Sequence, residues 1–190
     1  MAVEVIDSCP IGNAGSAAQS AADGIGQSFT GDGRELTSCS FYLSSSFAPL
    51  TGTLYATLYA HTGTFGTSGK PTGPILATSK IVNGSLVTPT ESLINFGFEA
   101  AQRVIPVNGT NYVIVLVHVG DASGNHCWAR RTDPVSAHAG NGSYKDTNWL
   151  TITNSYDFIF YVYTGDLLVI PTAVASRTAR NLLLLMKGAK

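Results

Sequence analysis

The side chains in this 190-residue chain that could do chemistry are few and scattered. His118, His126 and His138 fall within 21 residues of one another, with Cys127 among them, and are the one group with the ligand types of a transition-metal site. Their spacing matches no zinc pattern, and His118 sits inside the apolar run NYVIVLVHV, so the expectation is no bound metal. Carboxylates stand singly, with no near pair from which a glycosidase-type acid and base could be argued. No nucleophile elbow, phosphate loop or dinucleotide fingerprint is present, and Gly24-Ile25-Gly26 and Gly31-Asp32-Gly33 read as turn material. No catalytic residue, no enzyme activity and no cofactor are expected. A structural Ca²⁺ held by loop carboxylates such as Asp32 or Asp121 is the one ion left to weigh.

Aromatic side chains offer more. In NHCWARR, Cys127 and Ala129 take one face of a strand and leave His126, Trp128 and Arg130 on the other. An outward Trp flanked by polar groups is a stacking platform for a sugar ring. Trp149, in KDTNWLT, and Tyr144 are the residues expected to join it. The competing reading is that Trp128 covers a sandwich rim or packs beneath a loop. The Tyr55, Tyr59 and His61 face carries the same ambiguity.

Strands must position these groups. Period-2 alternation dominates, broken by turn signals. Arg34–Leu43 puts Cys39, Phe41 and Leu43 on one face, which makes Cys39 a core hydrophobe and not a reactive thiol. Thr53–His61 sends Leu54, Ala56, Leu58 and Ala60 inward, while Asn111–Val119 is apolar on both faces, as a central covered strand would be. Tyr156–Thr164 resembles it. Weaker strands are predicted at Val3–Asp7, Gly26–Thr30, Ile75–Val82, Ser92–Phe98 and Asn125–Arg131, giving nine or ten before residue 165 and no helix. The fold class that follows is an all-β sandwich with Greek-key or jelly-roll wiring. The Gly-, Thr- and Pro-rich stretch AHTGTFGTSGKPTG is then a long crossover inside one domain, not a linker.

Composition agrees. Charged residues make up only 12% of the chain, and Gly, Ser, Thr and Asn fill the gap. All 12 acidic residues lie at or before Asp166, and against seven basic residues they leave 1–166 at −5. Residues 167–190 carry Arg177, Arg180, Lys187 and Lys190 and no acid. The division expected is a sandwich over 1–166 and a basic, Leu-rich attachment segment over 167–190. In that segment Leu182, Leu183 and Met186 share a helix stripe with Ala175 and Ala179, or Leu182, Leu183, Leu184, Leu185 and Met186 form a strand added to a partner's sheet edge. With Arg177 and Arg180 they are the candidate assembly contacts. Three cysteines match no disulfide framework, and the first residues lack the charged and apolar regions of a signal peptide. Synthesis in a reducing cytoplasm, without standard export, is the expectation. The sequons at Asn83, Asn108 and Asn141 are all Asn-Gly pairs, which turn chemistry explains.

The segments Gln27–Gly31, Leu36–Leu43, Ala56–Ser79, Asn108–Val113, Gly120–Ser123 and Tyr156–Tyr163 together resemble a family of jelly-roll, carbohydrate-binding-module-like domains. That family recurs in tailed-phage structural proteins and bacterial surface proteins. The likeness covers about residues 24–164, and its most specific part is AHTGT…PTG…LATS. It implies a fold and a setting and brings no catalytic residues. The setting implied is a virion: a capsid decoration or a tail- or fibre-associated protein. Other virion proteins are its expected partners, with a homo-oligomer, and neither nucleic acid nor membrane is expected. The alternative function is a carbohydrate-binding module for host-surface or environmental glycans.

Overall fold

The computed structural model describes residues 3–10, 14–20 (backbone only), 24–120, 124–132, 138–152 and 157–165. Thirteen strands and two short 3-10 turns appear, with no α-helix among the described residues. The strands are β1 (Glu4–Cys9), β2 (Ala14–Ser20), β3 (Ile25–Thr30), β4 (Ser38–Ser45), β5 (Thr53–Thr62), β6 (Lys70–Thr78) and β7 (Val82–Asn83). They continue with β8 (Ser92–Gly97), β9 (Asn111–Val119), β10 (Cys127–Thr132), β11 (Gly142–Lys145), β12 (Trp149–Thr151) and β13 (Phe160–Thr164). The fold is an all-β sandwich of two antiparallel sheets.

Its wiring is that of a jelly roll. In one sheet β1, β13 and β4 are neighbours and β8 lies on the other side of β4. In the other the order is β3-β9-β5-β6. Numbered among themselves along the chain, these eight strands run first-eighth-third-sixth and second-seventh-fourth-fifth, the double Greek key of that architecture. The remaining strands extend it. β10 continues the edge of β4 past the end of β13 and carries β2, while the β11–β12 hairpin extends the second sheet beyond β3.

Alternation explains the core. Cys39, Phe41 and Leu43 of β4 are fully buried between the sheets, as are Leu54, Ala56 and Leu58 of β5. They meet Ile114 and Leu116 of β9 and Phe160 and Val162 of β13, and Phe41 packs edge-on to Phe96 at 6.4 Å. All three cysteines are buried and free, and burial pushes the Cys39 thiol above its ordinary range, as a core role requires. β9 lies at the centre of its sheet. Val113 and Val115 on its outward face are buried along with Ile114 and Leu116 on its inward one.

Three expectations need correction. AHTGTFGTSGKPTG is no crossover: β5 and β6 pair antiparallel from Thr57↔Thr78 to Thr62↔Lys70, so only residues 63–69 form the turn of a hairpin. Pro71 and Pro74 lie within β6. That strand ends its sheet, and an edge strand accepts prolines because one side makes no ladder. Likewise Gly26 is inside β3 and not in a turn. Of the strand expected over Tyr156–Thr164, Tyr156 lies outside the described residues, and the part from Asp157 is regular from Phe160, preceded by a bridge between Arg131 and Phe158.

Candidate functional site

Trp128 owes its position to the alternation of β10. Cys127 and Ala129 are fully buried inward, while Trp128 and Arg130 stand half-buried on the outward face and His126 is exposed just before the strand. Trp128 lies opposite Ser44 of β4. Its Nε1–H donates to Ser46 Oγ at 2.8 Å, and the His126 ring meets it edge-on at 5.7 Å. Arg130 forms an ion pair with Glu91. Ser44, Ser45, Ser46, Pro89, Trp128 and Arg130 together line a cleft of about 330 Å³. A fixed indole, a row of hydroxyls and an ion pair at the rim suit a ligand with one apolar face and a hydroxylated edge.

The other two residues of the expected platform are elsewhere. Tyr144 packs against the hydrophobic core. Trp149 lies opposite Lys145 in the β11–β12 hairpin, on the outward face of the other sheet, beside Gly24 and Val115. Trp128, His126 and Arg130 are therefore brought together, and Trp149 and Tyr144 are not. The face of Trp128 instead carries Tyr161 and Tyr163, opposite Ser40 and Ser38, their rings stacked at 5.9 Å and 5°. Burial raises the Tyr163 hydroxyl, against a hydrogen bond with Ser40 that lowers it. Sequence reasoning passed over this pair, although two tyrosines two residues apart on a strand must share a face.

A second cleft, of about 300 Å³, lies where the end of β1 meets the β5–β6 turn and is lined by Asp7, Ser8, Cys9, Pro10, Thr30, Phe65, His138 and Ala139. Its floor is a buried polar network. His138 Nε2 lies 3.2 Å from Asp7 Oδ1, and Nδ1 lies 3.4 Å from Asp157 Oδ1. Gln27 clamps the far side: its Nε2 donates to Asp157 Oδ1 at 2.6 Å, and its Oε1 accepts from the Phe158 N–H at 2.8 Å. Burial works against a charged imidazole here, yet the hydrogen bonds to Asp157 and Asp7 and their negative charges outweigh it and raise His138 to about 9. The Gly140 N–H, 3.1 Å from Nδ1, favours the neutral ring. Gln27 Nε2, 3.4 Å from Nδ1, does the same, but the two carboxylates, one of them almost fully buried, favour the cation at neutral pH.

The four candidate metal ligands do not converge. His118 is buried with Nε2 2.9 Å from the Thr51 carbonyl, His126 is exposed on the first sheet, His138 sits between its carboxylates and Cys127 is in the core. Among the described residues no group of His, Cys, Asp and Glu could hold a metal ion. Burial would raise Asp32, but Arg34 holds it below the ordinary carboxylate range through a 2.6 Å hydrogen bond from Nε and one of 3.0 Å from its backbone N–H, which leaves little for Ca²⁺. Asp121 lies outside the described residues, as do Arg177, Arg180, Leu182, Leu183, Leu184, Leu185 and Met186. Among the described residues no helix is long and apolar enough to cross a membrane. No protein-family model matches the chain, and no curated protein matches it either.

Proposed function

We propose that this chain is a non-enzymatic structural protein of a bacteriophage virion, a capsid decoration or a tail- or fibre-associated component. It displays its jelly roll outward and is anchored through its terminal segments. The observation that carries this reading is that all eight strands of the roll lie between Glu4 and Thr164, so its sheet order is filled before the basic, Leu-rich segment begins. Jelly rolls serve as capsid and lectin domains. The motif block that resembles phage structural domains forms the β5–β6 hairpin, on the margin of the roll. Four basic residues and no acid in 167–190, against a body at −5, give that segment a charge suited to attachment. Deleting residues 167–190 is expected to leave a folded sandwich with an unchanged unfolding transition, but one that no longer co-purifies with particles. A truncated chain that misfolds would make the segment part of the core and sink the proposal.

The Trp128 cleft favours a second, compatible reading, glycan recognition. Trp128→Ala is expected to abolish binding on a glycan array, a loss of about 1–3 kcal/mol for one stacking ring. Trp149→Ala, on the opposite face, should leave that binding intact. Binding that survives Trp128→Ala would remove the cleft from the account.

A further inference from the structure

We infer that the cleft between the end of β1 and the β5–β6 turn is a second binding site, for a single polyhydroxylated ring of the pyranose type, held by the Asp7 carboxylate against Phe65. This extends the glycan reading to a site that shares no lining residue with the Trp128 cleft.

The acceptor is fixed in advance. Asp7 Oδ1 accepts from the Ser8 N–H at 2.8 Å and faces His138 Nε2 at 3.2 Å, while Oδ2 accepts from the Thr30 N–H at 3.1 Å. A carboxylate oxygen takes two donors, so Oδ2 keeps a lone pair for a ligand, and the side chain is 24% exposed. His138 is itself immobilised by Asp157 and by the Phe160 ring, edge-on at 5.1 Å. No part of this acceptor needs to reorganise when a hydroxyl arrives.

The apolar wall is fixed as well. Phe65 meets the His61 ring edge-on at 5.8 Å. Its turn is pinned to the strand entering β11, where Asn141 Oδ1 accepts from the Gly69 N–H at 3.0 Å and Asn141 Nδ2 donates to the Gly69 carbonyl at 2.8 Å. Gly66 packs directly on the Ala139 carbonyl, where no Cβ would fit. Phe65, Pro10 and Ala139 thus offer the C–H face of a ring an apolar surface in the same cleft as the carboxylate.

The lining chooses the ligand. No lysine or arginine lines the cleft among the described residues, and the His138 cation is taken up by Asp7 and Asp157, so an anion finds no free counter-charge. His138, shared with Asp157, partly offsets the Asp7 charge and leaves Asp7 as an acceptor for hydroxyl hydrogens. About 300 Å³ is the lower end of small-molecule sites and suits one ring, free or at the end of a chain.

The test is an amide-resolved NMR titration of the full chain with the methyl glycosides of glucose, galactose, mannose and N-acetylglucosamine, followed by the corresponding disaccharides. Saturable shifts are expected at Ser8, Thr30, Phe65 and Ala139. Phe65→Ala should weaken them by about tenfold or more, the equivalent of one lost ring contact. Asp7→Asn should abolish them, and Trp128→Ala should leave them unchanged. Because Asp7 also supports the fold, unchanged amide positions in β4 and β9 must accompany its loss of binding, and Phe65→Ala stands as the independent variant. Disaccharides that bind no more tightly than monosaccharides support a one-ring site. Shifts confined to Ser44–Ser46 and Trp128 would overturn this site and leave the glycan reading standing. No shift with any glycoside would overturn both. A Phe65→Ala chain that binds like the wild type would also sink the inference.

Discussion

Replacing Asp157 by alanine lowers folding stability by about 3–5 kcal/mol at pH 6, the cost of breaking a buried ion pair by removing one partner. Asp157 is 1% exposed and takes the Gln27 amide at 2.6 Å, so the deletion leaves the imidazolium with Asp7 alone and removes the shortest hydrogen bond of a buried amide donor. The pH dependence identifies the cause. His138 is raised from 6.5 to about 9 in the folded chain, so its contribution is complete below pH 6.5 and is lost as the pH climbs through 9. The wild type should therefore lose about 3 kcal/mol as the pH rises from 6.5 through 9, because a tenfold change in proton affinity is worth roughly 1.4 kcal/mol. Chemical denaturation at half-unit pH steps measures this. His138→Asn should be less stable than the wild type at pH 6 and flat across the same window. A wild-type curve just as flat would mean that the Gly140 N–H, not Asp157, owns Nδ1, and that the ring is neutral throughout.

That network also marks the limit of what the sequence makes legible. β4 and β5 could be read because each alternates large apolar residues against small or polar ones over eight to ten positions, and β9 because it is an apolar, β-branched run on both faces. β2, with the sequence AGSAAQS, offers no β-branched or aromatic residue, and β11 and β12 span only four and three residues. Their strand character comes from the neighbours they pair with, which no local window contains. Gln27 and Asp157 lie 130 positions apart, and His138 and Asp157 19 apart, so nothing in their spacing announces a contact. Trp128 was legible because strand parity alone sends it outward. Pairing it with Trp149 failed because parity fixes a face within one strand but not which sheet the strand joins.

Gly52→Ala is the second large effect, and two companion variants separate its parts. Gly52 has φ +76°, and a Cβ there would collide with the Val119 carbonyl and come within 3.0 Å of Gly120 Cα. Gly84 approaches the same junction with no left-handed backbone: a Cβ would sit 2.7 Å from the Thr51 carbonyl, and its N–H donates to the Gly52 carbonyl at 2.9 Å. Gly109 has φ +74° and nothing within 4 Å. Gly109→Ala thus measures backbone strain alone and should cost about 1 kcal/mol. Gly84→Ala measures collision alone, about 1–3 kcal/mol, because the obstacle is backbone and cannot rotate away. Gly52→Ala suffers both and should cost about 3–5 kcal/mol, the strain and overpacking terms together. The junction joins the entrance of β5, the end of β7 and the exit of β9, and Thr51 adds a hydrogen bond to the Gly120 carbonyl at 3.1 Å. If Gly52→Ala costs no more than Gly109→Ala, these loops separate freely and contribute nothing to closing that end of the sandwich. If it costs the sum, close backbone contact holds that end shut, which explains why glycine occupies all three approaching positions.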